Sequence, residues 1–160
     1  MQETDKDIFE KDAKDYLPVF NRYKIVLDHG EGAYLWDNNG KKYLDFLGGI
    51  AVNVLGHDYE PLVTAISEQA KKLIHCSNLY YTQPQADAAA KLVELSGLDK
   101  AFFGNSGAEA NEGAIKIARK YAHQFDPEKS QIITAWDSFH GRTITTLTAT
   151  GQPKYHEGFG

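Results

Sequence analysis

The chain is short of cysteine: Cys76 is the single thiol in 160 residues. A disulfide within the chain is therefore excluded, which fits a reducing compartment. The six histidines show no metal-ligand spacing, so no zinc site is expected. No apolar run approaches the length of a membrane span. Positive charge is in deficit, with 17 Lys and Arg against 22 Asp and Glu and a net charge of −5. The basic residues form no patch, which argues against nucleic acid or an anionic membrane surface as partner. The first residues, MQETDKDIFEKDAKDY, lack an apolar signal core, and their acidity disfavours a transit peptide. These absences together read as a cytoplasmic protein.

What is present describes a soluble globular chain, 42% hydrophobic and 24% charged. Residues 1–15 carry dense charge of both signs and predict a solvated helix or a frayed end. Residues 23–47 predict a small antiparallel sheet. Its strands are Tyr23–Leu27, Ala33–Trp36 and Lys41–Phe46, broken by Gly30-Glu31-Gly32 and turned at Asp37-Asn38-Asn39-Gly40. The segment from Leu47 to His57 mixes glycine with apolar residues and has no period, as in a buried loop with close backbone approach.

From there the pattern alternates. A helix is expected over 59–75, capped by Asp58, with Pro61 in its first turn. A second runs from Pro84 to Ser96 and stops at Gly97. A third runs from Gly107 to His123. Short buried strands are expected at Lys100–Phe103 and Gln131–Trp136, and by β-propensity at 143–149. Helices alternating with short apolar strands predict an α/β layer with parallel pairing. The final stretch, GQPKYHEGFG, reads as a glycine-rich loop, which suggests a truncated protein or a fragment.

Two turns carry the chemistry. Ser106-Gly107-Ala108-Glu109 has the S-x-x-E spacing of a capping box, in which Glu109 would reach back to the Ser106 amide. Strand, tight turn and helix start also form an anion site, because the first helical amides lack partners and the helix dipole favours negative charge. Small side chains at Gly107 and Ala108 let an anion approach. The plain alternative is a well-capped helix and nothing more. The second turn, Asp137-Ser138-Phe139-His140-Gly141-Arg142-Thr143, follows the 131–136 strand. Ligands in open α/β sheets sit beyond the carboxyl ends of strands, so both turns should open on one edge. Phe139 offers a flat apolar face, His140 a ring with two nitrogens, and Arg142 a planar fork for a carboxylate. The plain alternatives are core packing for Phe139 and a surface ion pair for Arg142. Together the turns suit a flat phosphorylated cofactor and an acidic substrate.

Four motifs in order, GEGAYLWDNNGKKYLDFLGGIAVNVLGH, HCSNLYYTQPQ, NSGAEANEGAIKIARKYA and SFHGRT, resemble the N-terminal part of the class III pyridoxal-phosphate-dependent aminotransferases. Within that family GGIAVNVLGH and SNLYYTQPQ are most similar to the acetylornithine aminotransferases. Ornithine, succinylornithine and 4-aminobutyrate aminotransferases share much of the pattern. The resemblance implies a homodimer of the aspartate-aminotransferase-like fold (fold type I): an α/β protein in which a small antiparallel sheet segment precedes the start of a large mixed-sheet domain. Residues 1–56 would belong to the small domain and 57–160 to the start of the large one.

The resemblance further implies pyridoxal 5'-phosphate held by Ser106, Gly107 and Ala108, with Phe139 and His140 beside the ring. Arg142 would bind a substrate carboxylate. Some members carry threonine where Ala108 stands, and many acetylornithine enzymes carry tyrosine where Phe20 stands. The family places residues 143–149 in a helix, against their propensity. The implied reaction moves the side-chain amino group of N-acetylornithine to 2-oxoglutarate, in arginine biosynthesis. The Schiff-base lysine and the acidic partner of the pyridine nitrogen are not among these residues, and Lys116 and Lys120 lie too far along the third helix to replace the lysine. No catalytic residue is therefore assigned. The chain alone is expected to be inactive, and a non-catalytic phosphate-binding or scaffold subunit is the competing reading.

Overall fold

The computed structural model describes residues 4–159. The chain divides into two compact units, Met1–Ser77 and Asn78–Gly160.

In the first unit, helix α1 (Asp5–Asp15) begins at a capping box. The Thr4 hydroxyl accepts the Asp7 amide at 3.3 Å, and the Asp7 carboxylate accepts the Thr4 amide at 3.0 Å. Residues 1–3 of the expected charged helix lie outside the described residues. After α1 the Arg22 guanidinium bonds Asp12 and stacks 4.0 Å over the Tyr16 ring.

Strands β1 (Leu27–Glu31), β2 (Tyr34–Asp37) and β3 (Lys42–Leu44) form an antiparallel sheet in the order β1-β2-β3. Register places His29 opposite Trp36 and Trp36 opposite Lys42. These three make a ladder: the His29 and Trp36 rings stack at 5.0 Å, and Lys42 Nζ lies 5.1 Å from the Trp36 ring centre. The Asp37–Gly40 turn forms as the sequence predicts. The Asp37 carboxylate accepts the amides of Asn39 (3.0 Å) and Lys41 (2.9 Å) and the Tyr43 hydroxyl (2.7 Å). The Tyr43 bond, then the Lys41 amide, hold the Asp37 carboxyl below its ordinary value.

The first strand sits later than expected, at Leu27–Glu31 in place of Tyr23–Leu27. Strand β2 ends at Asp37, whose partner is Leu27, so residues 23–26 have no strand opposite them. Gly30 and Glu31 therefore belong to the strand and only Gly32, at φ 54°, turns the chain.

The Leu47–His57 segment is irregular, as expected, but it is exposed. Its one turn of helix, α2 (Gly48–Ala51), is wound left-handed, with φ of 65° at Gly49, 63° at Ile50 and 62° at Ala51. Such backbone costs about 1–2 kcal/mol per non-glycine residue. Its anchor is Asp45, which accepts the amides of Leu47 (3.0 Å) and Gly48 (2.9 Å) and bonds His57 Nε2 at 2.8 Å. The His57 and Gly32 backbones exchange two hydrogen bonds, at 2.8 and 2.9 Å. A Cβ on Gly30 would lie 2.5 Å from the His57 ring, so only glycine leaves the imidazole room. Helix α3 (Glu60–Lys72) follows, with Pro61 in its first turn. Asp58 does not cap it. Its φ is 53°, and Tyr59 occupies the cap position without a side-chain bond.

In the second unit, α4 (Gln83–Ser96) ends at Gly97 in the left-handed conformation, and α5 (Gly107–His123) follows. Residues 143–149 do not form a strand: α6 (Ile144–Ala149) is a helix, against their β-propensity and as the resemblance implied. Its buried residues are Thr146 and Leu147, and Thr150, which caps its end, is buried too. A short 3-10 turn spans Pro153–Tyr155. The expected strands at 100–103 and 131–136 are likewise absent. Among the described residues neither segment has a strand to pair with, and their side chains are exposed, with Ile133 at 98%.

The two units divide at Ser77/Asn78. The bonds from His57 to Gly32 and Asp45 tie the later segment to the hairpin.

Candidate functional site

The candidate site is built on the first turn of α5. Ser106 stands at the cap position in extended backbone, and its hydroxyl accepts the Glu109 amide at 3.2 Å. The second half of the expected capping box is displaced by one residue. The Glu109 carboxylate takes the amide of Asn105 at 2.6 Å and the Asn105 side chain at 2.9 Å, not the Ser106 amide. The reason is local: Ser106 N stays clear while Asn105 offers two donors to one oxygen. The amide of Ala110 bonds Ser106 O at 3.0 Å. Among the described residues the amides of Gly107 and Ala108 have no such partner. The Ser106 hydroxyl also keeps its proton to donate, because the cap uses only its oxygen. Three donors thus lie at the positive end of a long helix.

The second turn is brought onto this helix. The Asn111 side chain donates to the His140 carbonyl at 2.7 Å. The Thr143 hydroxyl donates to Glu112 at 2.5 Å. Gly141, at φ 140°, is buried so closely that a Cβ there would meet Ala108 Cβ at 2.7 Å and Thr146 Oγ1 at 2.6 Å. From the other side the His140 amide donates to Thr150 Oγ1 at 3.0 Å, and Thr150 in turn donates to Thr146 O at 2.8 Å. His140 is held by its backbone, with its ring half-buried.

Phe139 and Arg142 flank this fixed pair and point outward. Phe139 is 53% exposed and meets the Tyr155 ring edge-on at 5.8 Å. The Arg142 guanidinium lies 4.5 Å from the centre of the Tyr155 ring and 5.6 Å from that of Phe139. Its planar face is thereby occupied while its in-plane donors stay available to a carboxylate. Arg142 is accordingly no surface ion pair among the described residues. Ser106, Gly107, Ala108, Phe139, His140 and Arg142 all fall within this unit. Phe20 belongs to the first unit and is exposed. A cleft of about 380 Å³ between α5, residues 130–134 and α6 contains none of the six.

Residues 18–160 match the family described as Aminotransferase class-III. An acetylornithine aminotransferase from Methanocaldococcus jannaschii is 56% identical over 149 residues, covering 92% of this chain and 37% of the relative. The chain belongs to the class III aminotransferase family.

Solved members of the family share the fold. The ornithine aminotransferase of Toxoplasma gondii ME49 superposes with a TM-score of 0.92 at 30% identity, over 99% of this chain and 38% of that one. A second structure of the Toxoplasma gondii enzyme, described with partial occupancy of PLP at its active site, gives 0.91 at 31% identity over 98% of this chain and 37% of that one. The chain therefore has the α/β fold of the N-terminal part of these aminotransferases, and it spans under two fifths of the length of these relatives. No helix among the described residues is long and apolar enough to cross a membrane.

Sequence reasoning found the two turns, Thr143 included, and missed what else joins them: Asn111, Glu112, Thr146, Thr150 and Tyr155. A signal was present. Ala108, Asn111 and Glu112 stand at i, i+3 and i+4 on one helix face, and Thr143, Thr146 and Thr150 repeat at helical spacing. Both stripes are polar, and a search for apolar periodicity passes over them.

Proposed function

We propose that the chain is the N-terminal part of an acetylornithine aminotransferase that uses pyridoxal 5'-phosphate. The whole protein would move the side-chain amino group of N-acetylornithine to 2-oxoglutarate, acting in the cytoplasm as a homodimer. The observation that carries this reading is the seating of the 139–142 turn on the start of α5, at 2.7 Å from Asn111 to the His140 carbonyl. It puts the start of α5, the Phe139 ring and the Arg142 guanidinium within one unit. The 56% identity to an acetylornithine aminotransferase supports the substrate.

The residues present fit the cofactor. The amides of Gly107 and Ala108 and the Ser106 hydroxyl are open donors for a phosphate, and beyond its chain neighbours and its own helix turn nothing among the described residues lies within 4 Å of a Cβ position on Gly107. Bound there, pyridoxal phosphate would supply an electron sink for carbon–hydrogen cleavage next to nitrogen. The chain's own part is positional. Ser106, Gly107 and Ala108 hold the phosphate, with one hydroxyl fewer than in relatives that carry threonine at the third position. Phe139 would cover a ring face and exclude water from it, with His140 beside the ring. Arg142 orients the substrate through its carboxylate. The proton-moving lysine implied by the family is not among these 160 residues. In the whole protein, residues 1–56 would form part of the small domain and 57–160 the opening of the large one.

Two measurements test the proposal. The whole protein purified from its source should carry the absorbance of bound pyridoxal phosphate, and it should form glutamate faster from N-acetylornithine than from ornithine. Faster reaction with ornithine or 4-aminobutyrate would move the substrate assignment to those relatives. The 160-residue chain produced alone should form no glutamate; turnover by it would overturn the partition proposed here. A native mass near 17.8 kDa would favour a non-catalytic binding or scaffold subunit.

A further inference from the structure

We infer that Asn111 is a positioning residue, which sets the ring-binding turn at a fixed place over the phosphate-binding turn. The inference rests on the cofactor assignment above and adds to it a residue that touches no part of the cofactor. Ala108, Asn111 and Glu112 present one face of α5, and each meets a different residue of the second turn. Ala108 meets Gly141 without space for a Cβ, Asn111 Nδ2 bonds the carbonyl of His140, and Glu112 accepts the Thr143 hydroxyl. The acceptor is a carbonyl, so the Asn111 atom facing it must be the amide nitrogen. The opposite edge of the His140 peptide is also held, by Thr150 Oγ1. Residues 140, 141 and 143 are therefore fixed one by one, and the two outward side chains, Phe139 and Arg142, inherit that placement. The phosphate donors need none of these contacts, because they belong to α5 itself.

This separates two kinds of ligand. Inorganic phosphate needs only the helix start. Pyridoxal phosphate needs the helix start and the second turn at the right separation. Asn111→Leu keeps the branching of the side chain and removes the donor without adding charge. In the whole enzyme the variant should release pyridoxal phosphate with a dissociation constant raised about tenfold, the cost of one part-buried hydrogen bond. Phosphate binding to the cofactor-free enzyme, followed by phosphorus NMR, should stay within about twofold, because its donors are intact. Thr143→Val removes the neighbouring bond to Glu112 and should show the same split, whereas Glu112→Gln keeps an acceptor and should bind both probes as the unmodified enzyme does.

Unchanged pyridoxal phosphate affinity in Asn111→Leu and Thr143→Val would overturn the inference and leave the cofactor assignment standing. Equal loss of both probes in both variants would mean general support of the fold, and would also overturn it. If the unmodified whole enzyme binds phosphate but no pyridoxal phosphate, the cofactor assignment itself falls, and this inference falls with it.

Discussion

Asp45 joins the neighbouring amides of Leu47 and Gly48, through one oxygen, to His57 Nε2 twelve residues on, through the other. The His57 bond, followed by the Gly48 amide, holds its carboxyl below the ordinary 3.8. The unfolded chain thus binds a proton at Asp45 more readily than the folded chain. Its contribution is fully present above the ordinary value and is lost as pH falls through the lower folded value. Asp45→Asn should lower the thermal midpoint at neutral pH and flatten its decline as pH falls below about 4. Asp37, depressed by Tyr43 and two amides, adds to the same acid limb, so the decline should shrink and not vanish. An acid limb identical in the variant and the parent would remove Asp45 from the account. Gly141 makes a second case at this scale. Gly141→Ala forces a methyl group against Ala108 and Thr146, and should cost about 1–3 kcal/mol in denaturant unfolding of the whole enzyme.

Elements differ in how much of them the sequence declares. Helix α5 was legible, because Ser106 and Glu109 mark its start. The Asp37–Gly40 turn was legible for a related reason: its chemistry is contained in four adjacent residues. The strands at 100–103 and 131–136 were not, because a strand exists only through its neighbour and an apolar run does not say which neighbour it has. Helix α6 misled propensity for the opposite reason. Its β-branched residues favour strand, and its inward face is made of threonines, whose hydroxyls are satisfied by Thr143, Thr146 and His140. The site followed the same division. Residues that would meet a ligand were legible from their own chemistry, while Asn111 and Glu112 were not, since their partners lie about thirty residues on. The polar packing of α6 can be measured. Thr150→Val keeps its volume and strands the His140 amide, and should cost about 1–3 kcal/mol of stability. A neutral result would mean that this amide finds another acceptor.

Across the whole chain, burial and size do not match. Leu147 is the one large apolar side chain buried among the described residues, whereas Phe46, Ile50, Val54, Ile133 and Trp136 are each at least 80% exposed. Ordering a residue's backbone costs about 1–2 kcal/mol, and burying one leucine returns about 1.5–3 kcal/mol. The apolar faces of these units therefore need cover that the units do not give themselves. Relatives more than twice as long have the chain to supply it. The 160-residue chain produced alone should accordingly bind a hydrophobic dye strongly and self-associate in sedimentation velocity, while the whole enzyme should do neither beyond its native assembly. The 131–134 segment, which pairs with no strand among the described residues, is the place where such association should begin, because it offers both open backbone groups and apolar side chains. Ile133→Lys should then raise the concentration at which the isolated chain associates. Charge placed at a fully exposed position leaves the helices untouched, so an unchanged association threshold would locate the sticky surface elsewhere, with the exposed 46–55 loop next to be tested.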